Sequence, residues 1–190
     1  MNRQVFTIAI FPTEGLQALK SELFDVVFVE HDKLLSVLVL NIPFTKEENS
    51  IRLNLDLYVF HCQIRDKAKV KVHFHFALGQ SFGITHPHVK WFIEQYLGDS
   101  ATAHAHAPYR EYLDILRHCD MMLNPFPFGN TNGIIDMVTL GLVGVCKTGE
   151  EVHEHIDEGL FKRLGLPEWL IAQSVEEYIN CAVRLAENHK

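Results

Sequence analysis

The run Phe126-Pro127-Phe128-Gly129-Asn130-Thr131-Asn132-Gly133-Ile134-Ile135-Asp136 joins a stiff proline–aromatic stretch to a turn of glycines and amides, then to an apolar segment. Two glycines let backbone approach a ligand closely. The open N–H groups and the dipole of a helix start favour a phosphate. Asp136 falls one turn inside that helix, where a carboxylate can accept a bond from a ribose hydroxyl. The competing reading is an ordinary strand-to-helix connection in which Asn130, Thr131 and Asn132 only cap the helix. The chain has no GK[ST] loop and no GxGxxG, so it matches neither common phosphate fingerprint.

Histidine is the second unusual feature, with twelve residues in the chain. His73/His75, His104/His106, His86/His88 and His153/His155 form spaced pairs, and the first two pairs each share one face of a strand. A metal needs three or four converging ligands. There is no HExxH, and no cysteine sits beside a histidine pair at finger spacing, so we assign no metal site. His106, at the end of a strand, is better placed to donate to a diphosphate. His73 and His75 are mid-strand and are expected to face helices. Gln80 can offer a donor and an acceptor to a sugar hydroxyl, or simply face water. Arg52, at the start of a helix, is a phosphate clamp or a surface cation. The charged run 150–158 reads as a solvated helix face, with a ribose or base contact as the alternative. No Ser-His-Asp or Cys-His arrangement is recognisable, so no residue is assigned a catalytic role. Cys119 and Cys146 stand in apolar context and read as core.

These residues need elements to position them. Val5–Phe11 and Asp25–Glu30 read as strands, with a turn at 12–15 and a short helix over Gly15–Phe24. Leu35–Ile42 is apolar enough for a strand buried on both faces. Leu53–Lys67 has the apolar spacing of an amphipathic helix. Strands then follow over Val70–Leu78, Thr102–His106, Met121–Asn124 and Leu142–Lys147. Helices are expected over His88–Leu97, Pro108–Cys119, Ile134–Leu140, Gly149–Gly159, Leu160–Leu166 and Val175–His189. Such alternation predicts an α/β fold, a parallel sheet with helices on both faces. Its ligand would lie beyond the carboxyl ends of the strands, near loops 43–52, 79–88, 105–109 and 125–133.

Composition narrows the function. The 190 residues are 47% hydrophobic and 22% charged, with a formal net charge of -7. That charge argues against a generic nucleic-acid binder. No apolar run approaches the ~20 residues that span a bilayer, and the N-terminus has no cleavable leader pattern, so no membrane association is expected. Four widely spaced cysteines without a CxxC pair suit the thiols of a cytoplasmic protein.

The run NPFPFGNTNGIIDMVTLGLVGVCKTGEEVHEHIDEGLFKRLGLPEWLI (124–171) closely resembles the bacterial cytoplasmic asparagine N-glucosyltransferases that modify high-molecular-weight adhesins. These are relatives of O-GlcNAc transferase in glycosyltransferase family 41. KVKVHFHFALGQ (69–80), GITHPHV (83–89) and YLGDSATAHAHAPYREYLDIL (96–116) carry the same resemblance, which is dense from about Ser50 to Lys190. It implies a Rossmann-like domain, the C-terminal half of a GT-B enzyme. The activity implied is transfer of glucose from UDP-glucose to Asn of Asn-X-Ser/Thr sequons on an acceptor protein, with inversion, without a metal and without any other cofactor. Carried over by position, Gln80 lies near the sugar, and His106, Pro108 and Tyr109 line the diphosphate and uridine pocket. Asn130, Thr131, Asn132 and Gly133 meet the phosphates, and Asp136 holds the ribose. Arg52 replaces a family lysine, keeping the charge but changing the donor geometry. Asn49, Ala105 and Phe82 also depart from the usual residues. Residues 1–33 match poorly, and 34–190 are read as the donor domain, shortened at its C-terminal end. The family's helical domain and most of its N-terminal Rossmann half have no counterpart here. Without them the chain is expected to be inactive alone, and a separate N-terminal half is a possible partner. The alternatives are a UDP-sugar-binding module without catalysis and a non-functional gene remnant.

Overall fold

The computed structural model describes residues 35–40, 50–77 and 85–188. The elements expected before Leu35, the loop residues 43–49, Gln80 and Phe82 lie outside them. Strands and helices alternate as β1 (Leu35–Leu40), α1 (Ser50–Lys67), β2 (Val72–Ala77), α2 (Thr85–Leu97), β3 (Ala101–His104) and α3 (Tyr109–Arg117). They continue as β4 (Met121–Leu123), α4 (Asn132–Thr139), β5 (Val143–Lys147), α5 (Ile156–Leu164), β6 (Ile171–Ala172) and α6 (Val175–Glu187).

The sheet has the order β3-β2-β1-β4-β5-β6, and every neighbouring pair is parallel. Leu35 pairs with Val72 and Val37 with Met121, so β1 is central. The chain winds outward to β3, returns across β1 to β4, and winds outward the other way. Right-handed crossovers then place α1 and α2 on one face and α3, α4 and α5 on the other. The last helix, α6, packs back against α1. Covered on both sides, Met121, Met122 and Leu123 of β4 are at most 1% exposed.

Several boundaries differ from the sequence reading. The helix α2 begins at Thr85 rather than His88, with Pro87 in its first turn, where a missing N–H costs nothing. Pro108 is the residue before α3 rather than its first residue, and β3 ends at His104, leaving His106 beyond the strand. One helix, not two, runs through Gly159, and it stops at Gly165, whose φ of 70° is a left-handed cap. The segment Val152–His155 ahead of it is a 3₁₀ turn. The two-residue β6 is too short to show a period. Among the described residues no helix is long and apolar enough to cross a membrane.

The two faces of β2 differ. Phe74 and Phe76 are fully buried, and His61 of α1 stands edge-on to both at 5.1 Å. On the other face His73 Nε2 lies 2.8 Å from Thr102 Oγ1, and His75 Nδ1 lies 2.9 Å from His104 Nε2. These histidines therefore meet the side chains of the short edge strand β3 rather than a helix. Among the described residues no group of three or more His, Cys, Asp or Glu is arranged to hold a metal ion.

Two predictions follow from this packing. A Cβ added at Gly144 would lie 2.4 Å from the Met122 carbonyl oxygen, so Gly144→Ala must push β5 from β4. We expect a loss of roughly 1–3 kcal/mol, read as a lower urea midpoint. Gly159→Ala, whose Cβ meets nothing within 4 Å, should be neutral or stabilising. An equal effect at both sites would refute the contact.

The second concerns pH. Burial, then the charges of His73, His104 and His118, lower the His75 pKa to about 4, with Asp120 opposing. The unfolded chain takes this proton near 6.5 and the folded chain only near 4. Stability from this group is therefore present above pH 6.5 and lost as pH falls through that window. His75→Gln should shrink the drop in urea midpoint between pH 7 and pH 5. An undiminished drop would acquit His75.

Candidate functional site

The strand order reverses between β1 and β4, so a crevice opens beyond their carboxyl ends. The chain leaving β4 there is held from below by Asn124, which is fully buried. Its N–H and its side-chain amide both donate to the Val145 carbonyl, at 3.0 and 3.1 Å. Its own carbonyl accepts from the Tyr178 hydroxyl at 2.9 Å. Two residues on, Phe126 turns inward and packs with Phe60 of α1 and Tyr178 of α6, at ring separations of 5.3 and 5.1 Å. Phe128 instead lies outside, half exposed, against His153.

The turn itself is fastened from within. Asn130 donates its side-chain amide to Asn124 Oδ1 at 2.9 Å. The Asn130 N–H is 2.9 and 2.8 Å from the two carboxylate oxygens of Asp157, and the Thr131 N–H donates to Oδ1 at 3.1 Å. Asp157 is 2% exposed, and burial raises its pKa against the pull of those amides. Gly129 has φ 74°, and a Cβ there would lie 2.5 Å from Asp157 Oδ1. At Gly133 a Cβ would lie 2.3 Å from the Asn130 amide. Both glycines are needed because a side chain lies against the backbone, as well as for any ligand approach. The N–H groups of Gly133 and Ile134 donate to the carbonyls of Asn130 and Thr131. Three of the four N–H groups from Thr131 to Ile134 are thus bonded inside the protein.

The outer part of the site comes from two helix starts on one face of the sheet. Tyr109, the first residue of α3 and 60% exposed, donates its hydroxyl to Asp136 Oδ1 of α4 at 2.6 Å. That bond raises the Tyr109 pKa. Tyr112, one turn on, faces the same carboxylate, and burial followed by the Asp136 charge raises its pKa as well. His106 and Pro108 are exposed on the connection from β3 to α3. Asn132 opens α4, with Thr131 before it at φ 44°, ψ -96°. The backbone of Arg52 lies in the first turn of α1, which follows β1. The structure thus joins Tyr109 to Asp136 and gathers Gly129, Asn130 and Thr131 around Asp157, with Gly133 against the Asn130 side chain.

Sequence reasoning missed Asn124, Asp157 and Tyr178. It read 150–158 as a solvated face, yet Asp157 is buried and Glu158 is tied to Thr148, His155 and Lys162. Those bonds, Lys162 foremost, lower the Glu158 pKa to about 2. The signal was present: Asp157 and Phe161 are four apart, and Phe161 belongs to the buried face of α5.

No family model matches the chain. It is 82% identical over 127 residues to the UDP-glucose:protein N-beta-glucosyltransferase of Actinobacillus pleuropneumoniae serotype 5b (strain L20). The enzyme of serotype 7 (strain AP76) matches equally. The match takes in 67% of this chain and 20% of each relative, so the chain spans about a fifth of the length of the curated relatives it matches. Among solved structures, a K341M mutant of Thermobaculum terrenum O-GlcNAc transferase superposes with TM-score 0.64 at 16% identity. The superposition covers 85% of this chain and 30% of that one. At that identity the likeness concerns the fold alone. The chain is thus similar in sequence to a segment of a UDP-glucose:protein N-glucosyltransferase, and its parallel α/β fold is of the GT-B glycosyltransferase kind.

Proposed function

We propose that this chain is the donor-binding part of an inverting, metal-independent protein N-glucosyltransferase that moves glucose from UDP-glucose to Asn in Asn-X-Ser/Thr. The 82% identity over 127 residues to enzymes of that name carries the reading. The switch-point crevice supports it by offering polar groups where a nucleotide would lie. Uridine diphosphate would rest beyond β4, with its ribose on Asp136 beside Tyr109. Its phosphates would meet Thr131, Asn132, His106 and Arg52, with the dipole of α4 behind them. Because most turn amides are already bonded, side chains and the dipole would carry more of the phosphate contact than a row of open N–H groups. As the sugar–phosphate bond breaks, negative charge grows on the diphosphate, and these groups would stabilise it. Gln80 would hold a glucose hydroxyl. The acceptor side would come from other parts of the enzyme, in the same or a separate chain.

The chain alone should bind UDP with Kd between roughly 10 μM and 1 mM, about 4–7 kcal/mol, in the presence of EDTA. Calorimetry with a folded sample and no heat would refute the site. Asp136→Ala should cost roughly 1.5–3 kcal/mol for UDP and UDP-glucose alike. Gln80→Ala should weaken UDP-glucose and spare UDP. Equal losses for both ligands in both variants would refute the division between ribose and sugar.

Transfer is a separate test. Holding the acceptor in place contributes ~7–11 kcal/mol of barrier in good cases, and the donor side cannot supply that. Mass spectrometry of an Asn-X-Thr peptide incubated with the chain and UDP-glucose should find no added hexose. Turnover by the isolated chain would mean that it carries its own acceptor site.

A further inference from the structure

We infer that Asp157 is a positioning residue that holds the turn before α4 in the shape that receives a diphosphate. The inference rests on the reading of this crevice as a UDP site.

A buried carboxylate without a partner is costly, and Asp157 is 2% exposed. It accepts from the N–H groups of Asn130 and Thr131, 27 and 26 residues away in the turn before α4. It also stands in the first turn of α5, close to the start of α4, so two helix dipoles favour its negative charge. Its fit depends on Gly129, where any Cβ would run into the carboxylate. The second amide it holds belongs to Thr131, whose φ of 44° is rarely adopted by a residue with a side chain. Such a conformation persists only where its surroundings over-determine it. Asp157 on one side and the carbonyl-to-amide bond from Thr131 to Ile134 on the other supply that restraint. The outcome is a turn whose inner amides are saturated and whose Thr131 and Asn132 side chains are exposed at the helix start.

A resident anion this close to a phosphate site has a second possible effect, repulsion of the ligand. The two effects have opposite signs. If positioning dominates, removing the charge weakens UDP binding; if repulsion dominates, removing it strengthens UDP binding.

Asp157→Asn keeps the size and one acceptor oxygen but removes the charge and replaces the second oxygen, which accepts from the Asn130 N–H, with an NH2 donor. UDP and uridine affinities should be measured for both forms by calorimetry and NMR titration. We expect about a tenfold weaker UDP affinity, the size expected for a charge-assisted hydrogen bond, and an unchanged uridine affinity, because the ribose contact at Asp136 lies outside the turn. A general loss of structure would weaken both ligands. UDP binding equal to or tighter than that of the parent would overturn the inference, as would a parallel loss of uridine. If Asp157→Asn does not fold, Gly129→Ala presses on the same carboxylate and carries the same expectation. Failure of the parent chain to bind UDP would count against the donor-site reading instead. Positioning is then judged by amide exchange: faster exchange at Asn130 and Thr131 in Asp157→Asn, with the rest of α4 unchanged, supports it, and unchanged protection there overturns it.

Discussion

Asn124 ends the central strand β4 with no access to water, so its polar atoms need partners inside the protein. Its bonds tie together four parts of the chain: the strand itself, β5 through Val145, α6 through Tyr178, and the following turn through Asn130. An apolar residue here would leave the Tyr178 hydroxyl in place but release the turn. Because the strand order reverses beside β4, this single buried amide decides how the chain enters the crevice. The cis Phe126–Pro127 segment and the inward Phe126 ring lie on that path, between a fixed start and a fixed turn.

The candidate site is built in two layers with different physics. In the inner layer Asn124, Gly133 and Asp157 are buried with Gly129 and Asn130 half-buried against them, and hydrogen bonds to the buried groups gain strength from the low local dielectric. In the outer layer Tyr109, His106 and Asn132 are exposed, with Asp136 half-buried beside Tyr109, and single contacts with solvent-exposed groups are weaker and more easily exchanged for contacts with a ligand. Rigidity inside and availability outside is the arrangement that pre-organised binding calls for. The chain's overall charge of -7 opposes a diphosphate. On the proposed reading any attraction is therefore local, as from the dipole of α4.

The similarity to protein N-glucosyltransferases and the fold agree, yet they bear on different things. Identity of 82% over 127 residues ties this stretch to one enzyme type, whereas superposition at 16% identity speaks only for architecture.

Local pattern was enough for the elements whose period and punctuation are strong. The alternation of strands and helices, the Gly-Asn-Thr-Asn-Gly turn opening α4, and Asp136 one turn inside it were legible from spacing alone, because those features depend on near neighbours in the chain. The resemblance added Pro108 and Tyr109 to His106, which its place after a strand singles out. Tertiary structure decided what distant residues do to one another. The bond from Tyr109 to Asp136 spans 27 residues and needs two helix starts on the same sheet face. The histidines of β2 found β3 because a four-residue edge strand leaves that face partly uncovered. Asp157, embedded in a run of charges that looks solvated, became the buried anchor of the turn because α5 rotates it onto the face it shares with Phe161. Charge is visible in a sequence, but burial is a property of what packs against it.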